Sequence, residues 1–221
     1  MGDFLNPMLL RGKFNNLNLS KMVSRIKKAG FTLLITAFGT FTANAQSPIS
    51  WKLDKSHTSV NFSITHFFSE VTGNFKIFEG NFNFDPSNLQ DSKADFSVSV
   101  KSISTDDSQR DKHLQSADFF DAKSFPLMTF KSTKIEKKSD KEYLVYGKLT
   151  IKDKTKDVML PMRITGEMEH PMMKGTIILG LVIDTTINRN EFGVGTGSWA
   201  TTMVVGDEVK IHIPIELNRK K

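Results

Sequence analysis

The chain has 221 residues, no cysteine and a formal charge of +6. That length suffices for one domain with a substantial core and no need of disulfide staples. Six of the 30 basic and one of the 24 acidic residues lie within 1–45, leaving 24 against 23, a charge of +1, from residue 46 onward. The two signs are interspersed there and no basic strip carries exposed aromatics, so a nucleic-acid partner is not expected.

At the N-terminus Arg25, Lys27 and Lys28 precede the apolar run 29–41, and Ala43 and Ala45 follow in an A-x-A arrangement. This is the pattern of a secretory signal peptide, with cleavage expected between Ala45 and Gln46 and a periplasmic or secreted destination. The apolar run is shorter than the ~20 residues of a spanning helix, so no membrane segment is expected after cleavage. Met22 stands directly before the basic cluster as an alternative start, and Asn6 replaces the Ser or Thr of a myristoylation signal. Residues 1–45 therefore read as a removable leader, and 46–221, without linker or repeat, as one domain.

Period-two alternation dominates this domain. Val60, Phe62 and Ile64 alternate with Asn61, Ser63 and Thr65, and Ala94, Phe96, Val98 and Val100 with Asp95, Ser97 and Ser99. Segments 60–64, 73–84 (bent at Gly80), 94–100, 128–135, 143–151, 158–167, 175–184 and 209–217 give about eight strands, each with one apolar face. Val98, Leu149, Leu160, Ile183 and Ile213 are expected inside, with Ser97, Lys148, Arg163 and His212 outside. Pro214 lacks a ladder donor and favours an edge or bulge. The fold class is all-β, a sandwich or an antiparallel barrel. An outer-membrane barrel is disfavoured by the single apolar face per strand and the C-terminus Asn218-Arg219-Lys220-Lys221.

One segment breaks the alternation. SQRDKHLQSADFF (108–120) places Arg110, Leu114, Ala117 and Phe120 or Phe119 at helical spacing, with Asp106, Asp107 or Ser108 as caps and Pro126 as a stop. It reads as one short helix lying across a barrel end, either as a lid or as a plug of ordinary core.

These residues, in order, resemble the YceI family of polyisoprenoid-binding, lipid-binding proteins. The landmarks are WKLDKSHTSVNFSITHFF (51–68), GNFKIFEGNFNFDP (73–86), SISTDDSQRDKHLQSADFFDAKSFPLMTFKST (102–133), YGKLTIKDKTKDVMLPM (146–162), TTINRNEFGVG (185–195) and VGDEVKIHIPIEL (205–217). The resemblance implies a lipocalin-like, extended antiparallel β-barrel holding an isoprenoid chain, such as an isoprenoid quinone, in an elongated apolar channel. Candidate lining residues are Phe62, Ile64, Phe82, Val98, Leu114, Phe119, Phe120, Phe130, Leu149, Leu160, Ile183, Phe192 and Ile213. His57 and His66, which match histidines of the family's opening motif, are candidates for head-group contact, as are Asn188 and Arg189. For the last two, simple turn formation by residues 188–190 is an equal alternative.

Catalytic and cofactor motifs are not expected. TGSWA around Ser198 is not G-x-S-x-G, and the glycine-rich 193–197 lacks a Walker lysine and reads as a turn. No H-x-H or H-E-x-x-H pair occurs, and His57 and His66, nine positions apart, would face opposite ways on one regular strand, so no metal site is expected. Asp106, Asp107 and Asp111 suit a helix start better than a calcium loop. With 18 Phe against two Trp and two Tyr, the interior favours smooth apolar walls without polar atoms to satisfy. A lipid-binding module leads the readings. An enzyme of isoprenoid lipids would require polar groups converging on the channel, and a ligand-free stress or interaction protein would have a filled barrel. A homodimer is left open.

Overall fold

The computed structural model describes residues 49–221; the leader and its expected cleavage point lie outside them. Eleven antiparallel strands form one sheet: β1 (Ser50–Asp54), β2 (Val60–His66), β3 (Ser69–Phe75), β4 (Phe78–Asn83), β5 (Lys93–Ser99), β6 (Ile103–Ser104), β7 (Leu127–Lys137), β8 (Glu142–Ile151), β9 (Lys154–Glu169), β10 (Thr176–Asn188) and β11 (Val205–Lys220). Eight of them close a ring in the order β1-β4-β5-β7-β8-β9-β10-β11, sealed by β11 against β1. The expectation of about eight strands thus holds for the barrel, though the wall uses more segments than the pattern separated.

The extra segments arise because two walls are broken. β11 pairs with β1 through Glu216–Asn218 and with β2 through Val205–His212, so β1 and β2 occupy one wall position in succession. The break falls opposite Pro214, which pairs in register with Val182 of β10 and turns its carbonyl toward Ser59 N (3.2 Å). Its missing N–H points to the interrupted side, so an interior proline leaves the β10 ladder intact. The segment expected as one strand bent at Gly80 divides instead at Lys76–Ile77 into β3 and β4. Gly80 lies within β4, where an added Cβ would approach the Phe82 ring to 2.5 Å and the Phe96 ring to 3.0 Å; it makes room for these aromatics.

The ends of the barrel differ. At the far end Trp51, Phe84, Tyr143, Met162, Leu179 and Leu217 pack solidly. Trp51 Nε1 donates to Phe84 O at 2.8 Å, Phe84 and Tyr143 meet edge to face at 5.1 Å, and the Arg219 guanidinium lies 5.0 Å above the Trp51 ring. At the near end β6 pairs with β3 but no ladder joins β6 to β7. Residues 105–126 cross that gap.

They begin with α1 (Ser108–Leu114), capped by the Asp107 carboxylate, which accepts from Gln109 N (2.9 Å) and Arg110 N (3.0 Å). These donors hold the Asp107 carboxyl below its ordinary pKa. The helix is shorter than expected. It ends at Leu114, after which Phe120 N donates to Leu114 O and Asp121 N to Ser116 O, folding the chain back on itself. Leu114, Ala117 and Phe120 therefore share no helical face.

Candidate ligand-binding cavity

Inside the near half lies a cavity of about 530 Å³, within the ~300–1,000 Å³ range of small-molecule sites. Strand parity builds its walls. On β11 the inward residues Val209, Ile211, Ile213 and Ile215 face Ile187, Thr185, Ile183 and Leu181 of β10 in register, and all but Leu181 reach the cavity. Leu149 and Val145 of β8, Leu160 of β9, Phe130 of β7, Val98 and Ala94 of β5 and Phe82 of β4 complete that side. Phe62, Ile64 and His66 of β2 close the other. The Phe130 ring occupies the space that a Cβ on Gly147 would fill, at 2.5 Å, so this glycine fits the ring against the wall.

The adjacent Phe119 and Phe120 diverge across the gap that residues 105–126 span. Phe120 turns to Phe75, 6.1 Å away and edge to face, while Phe75 packs against Phe62 at 5.6 Å. Phe119 joins His113 and Trp199, with ring separations of 5.0 to 5.6 Å, in a second apolar cluster with Ile151, Phe192 and Val194. One phenylalanine is thus assigned to each side of the opening. Asp118 O accepts from Thr196 N at 2.8 Å, tying the crossing segment to the glycine-rich loop. Exposed Asp107, Gln109 and Arg110 also line the cavity, which places its opening beside α1.

Polar groups at this rim come from distant parts of the chain. Arg189, 4% exposed, donates through Nε to Gly206 O (2.7 Å), Nη1 to Val194 O (2.8 Å) and Nη2 to Val205 O (2.8 Å), and it lines the cavity. Burial draws its pKa down and the charge of Asp207 opposes that. Gly195, at φ +90, makes this possible, since a Cβ there would lie 2.2 Å from Nη1. A guanidinium carries five donor hydrogens, so three carbonyl bonds leave capacity for a further acceptor.

Of the sequence-derived lining residues, Phe62, Ile64, Phe82, Val98, Leu114, Phe119, Phe120, Phe130, Leu149, Leu160, Ile183 and Ile213 border the cavity. Phe192 does not. It lies past the end of β10 on a 3-10 turn, where strand parity no longer applies, and packs into the second cluster at 2% exposed. Among the polar candidates His66 and Arg189 reach the cavity, whereas Asn188 serves the turn, its Oδ1 accepting from Asn190 N (2.9 Å) and its Nδ2 donating to Asp207 (2.8 Å). His57 is on the outer surface, with Nδ1 3.1 Å from Asp54 and 3.5 Å from Glu216. Histidine pairing gave no sign of this trio, whose ligand-capable atoms lie within 4.8 Å of one another, because residue 216 joins it only through the β1–β11 register. Trp199, Gln109 and His113 also line the cavity without a signal in the sequence, and Arg110, spaced there with Leu114, joins them; they meet only after the chain closes.

A closed antiparallel barrel with an apolar cavity in one half and a short helix beside its opening is a lipocalin-like architecture. The chain belongs to the YceI-like family, whose domain model matches residues 51–217. Protein YceI of Salmonella arizonae is 36% identical over 190 residues, covering 85% of this chain and 94% of that protein. BcnA of Burkholderia cenocepacia superposes with a TM-score of 0.66 at 31% identity, covering 75% of this chain and 99% of that one. A polyisoprenoid binding domain from Saccharophagus degradans shares the fold at 10% identity, with a TM-score of 0.56 and coverage of 76% and 98%.

Proposed function

We propose that the protein binds and carries, or sequesters, a polyisoprenoid or a related amphiphilic lipid such as an isoprenoid quinone. The supporting observation is the apolar cavity itself, which the barrel leaves unfilled although the far half is solidly packed. A five-carbon isoprene unit contributes on the order of 4 kcal/mol at ~0.8 kcal/mol per buried CH₂. A few units offset an association penalty of roughly 4–15 kcal/mol. Affinity then needs little polar contact, and Arg189 with His66 suffices to orient a carbonyl or hydroxyl head group at the rim. The polyisoprenoid named for the Saccharophagus domain is the same ligand class.

Export belongs to the same proposal. The leader pattern supports a periplasmic or secreted protein beginning at Gln46, and none of the described helices is long and apolar enough to cross a membrane. The intact mass of exported protein tests this, and material retaining Met1 or Met22 would contradict it.

Trp199 lines the cavity while Trp51 is buried in the packed end, which supplies a direct assay. In a Trp51→Phe variant, Trp199 fluorescence is expected to shift saturably as delipidated protein is titrated with farnesol. No change up to the solubility limit would count against prenyl binding.

A further inference from the structure

Near the cavity opening, the wall ends in apolar side chains that the barrel does not use. The β2–β3 hairpin turns at Phe67 and Phe68, which are 53% and 104% exposed, and Met203 on the facing segment is 84% exposed. They are neighbours by register: His66 pairs with Val205, and Phe67 N donates to Val204 O at 2.9 Å. Phe67 also holds φ at +50, a left-handed conformation that bulky residues rarely adopt. The turn thus accepts strain in a conformation that leaves both rings outside the core.

The tip continues into the cavity rim. His66 and Val205, one residue from Phe67 and two from Met203, line the cavity, and the His66 and Phe67 rings stand 4.7 Å apart. The tip offers no free basic group to attract a polyanion, because Lys210 is paired with Glu70 at 3.2 Å and the facing strand adds Asp207 and Glu208. It is also small. Large side chains bury about 150–250 Å² each, so three fall short of the ~800 Å² per partner of a stable protein interface. A bilayer needs no matching surface and accepts two aromatic rings and a thioether directly.

We propose that Phe67, Phe68 and Met203 dock the cavity opening onto a phospholipid bilayer, so that a prenyl chain passes between membrane and barrel without crossing water. This rests on the prenyl-lipid reading of the cavity. A second exposed apolar group, Met172 and Met173 on the β9–β10 hairpin, 86% and 51% exposed, lies at the packed end and supplies an internal control.

Flotation with phosphatidylcholine vesicles tests the proposal on the mature protein. The wild type is expected to float, with no gain from added anionic lipid. F68S/M203S, altered only at exposed side chains, is expected to partition about tenfold more weakly or worse, and M172S/M173S to partition like the wild type. Farnesol binding read from Trp199 should survive in both. Docking at the cavity rim is overturned if F68S/M203S floats as well as the wild type, if the control loses as much, or if sedimentation shows that the tip substitutions convert a dimer to monomers. Farnesol binding without flotation would remove the docking proposal alone; absence of farnesol binding would remove the cavity reading beneath it.

Discussion

Along β11 the inward residues pass from Leu217 and Ile215, 0% and 3% exposed, to Ile213, Ile211 and Val209, which stand partly open around the cavity. The same strand, with the same parity, serves two halves built differently. Far-end positions carry Trp51, Phe84, Tyr143 and Met162, long enough to meet across the barrel, with the Trp51 N–H satisfied. Near-end positions carry aliphatic residues and phenylalanines held along the walls, as Phe130 is by Gly147. Lining atoms that face a void lose their dispersion partners. The packed half therefore supplies stability, and the hollow half gives up some of it to hold a ligand.

Truncation on the two sides should separate most clearly. Leu179→Ala, at a site 1% exposed, is expected to lower unfolding stability by about 2–5 kcal/mol. Leu149→Ala, at a partly buried site on the cavity wall, is expected to lose less, about 1–2 kcal/mol. Denaturant unfolding of both measures the difference, and equal losses would mean that the near half is packed as tightly as the far half.

Filling the void inverts the test. Ile213→Trp places a ring into the cavity and is expected to abolish farnesol binding while changing stability by less than about 1 kcal/mol; Leu217→Trp, in the packed half, should destabilise by about 1–3 kcal/mol. Next in size is the crossing segment. A Leu114→Ala and Phe120→Ala double variant is expected to release bound prenyl lipid about tenfold faster in stopped-flow measurements, since both side chains border the cavity. Loss of stability with unchanged release would make these residues plain core.

How far these halves could be read beforehand depends on where the information sits. Alternation along β5, β8, β9, β10 and β11 was legible because period two assigns each side chain to a face without knowledge of partners. β1 went unseen because SWKLD offers only Trp51 and Leu53 as a pattern, and its role depends on the distant C-terminal half of β11. The pattern suggests a longer helix than forms because Leu114, Ala117 and Phe120 satisfy helical spacing, while the reversal at Asp121, φ +48, is set by hydrogen bonds back to Ser116. Arg189 was visible as a candidate, but its three carbonyl partners come from two segments that meet only at the rim.

The smallest expected effect lies outside both halves. Hydrogen bonding to Asp54, and then the charges of Asp54 and Glu216, raise the His57 pKa. A raised histidine pKa adds stability that is fully present below the unfolded value and lost as pH rises through the folded one. The stability gap between wild type and His57→Asn should therefore be wider at about pH 5 than at about pH 9, and a pH-independent gap would show that the trio is not coupled to folding.

Organic extraction of the wild-type protein purified from its native host, followed by mass spectrometry of the extract and parallel analysis of Ile213→Trp, tests the proposed prenyl-lipid binding most directly. A prenyl lipid stoichiometric with the wild type and absent from the filled variant is the predicted result. Folded wild type without any prenyl lipid, or the same lipid in equal amount on the filled variant, would contradict it.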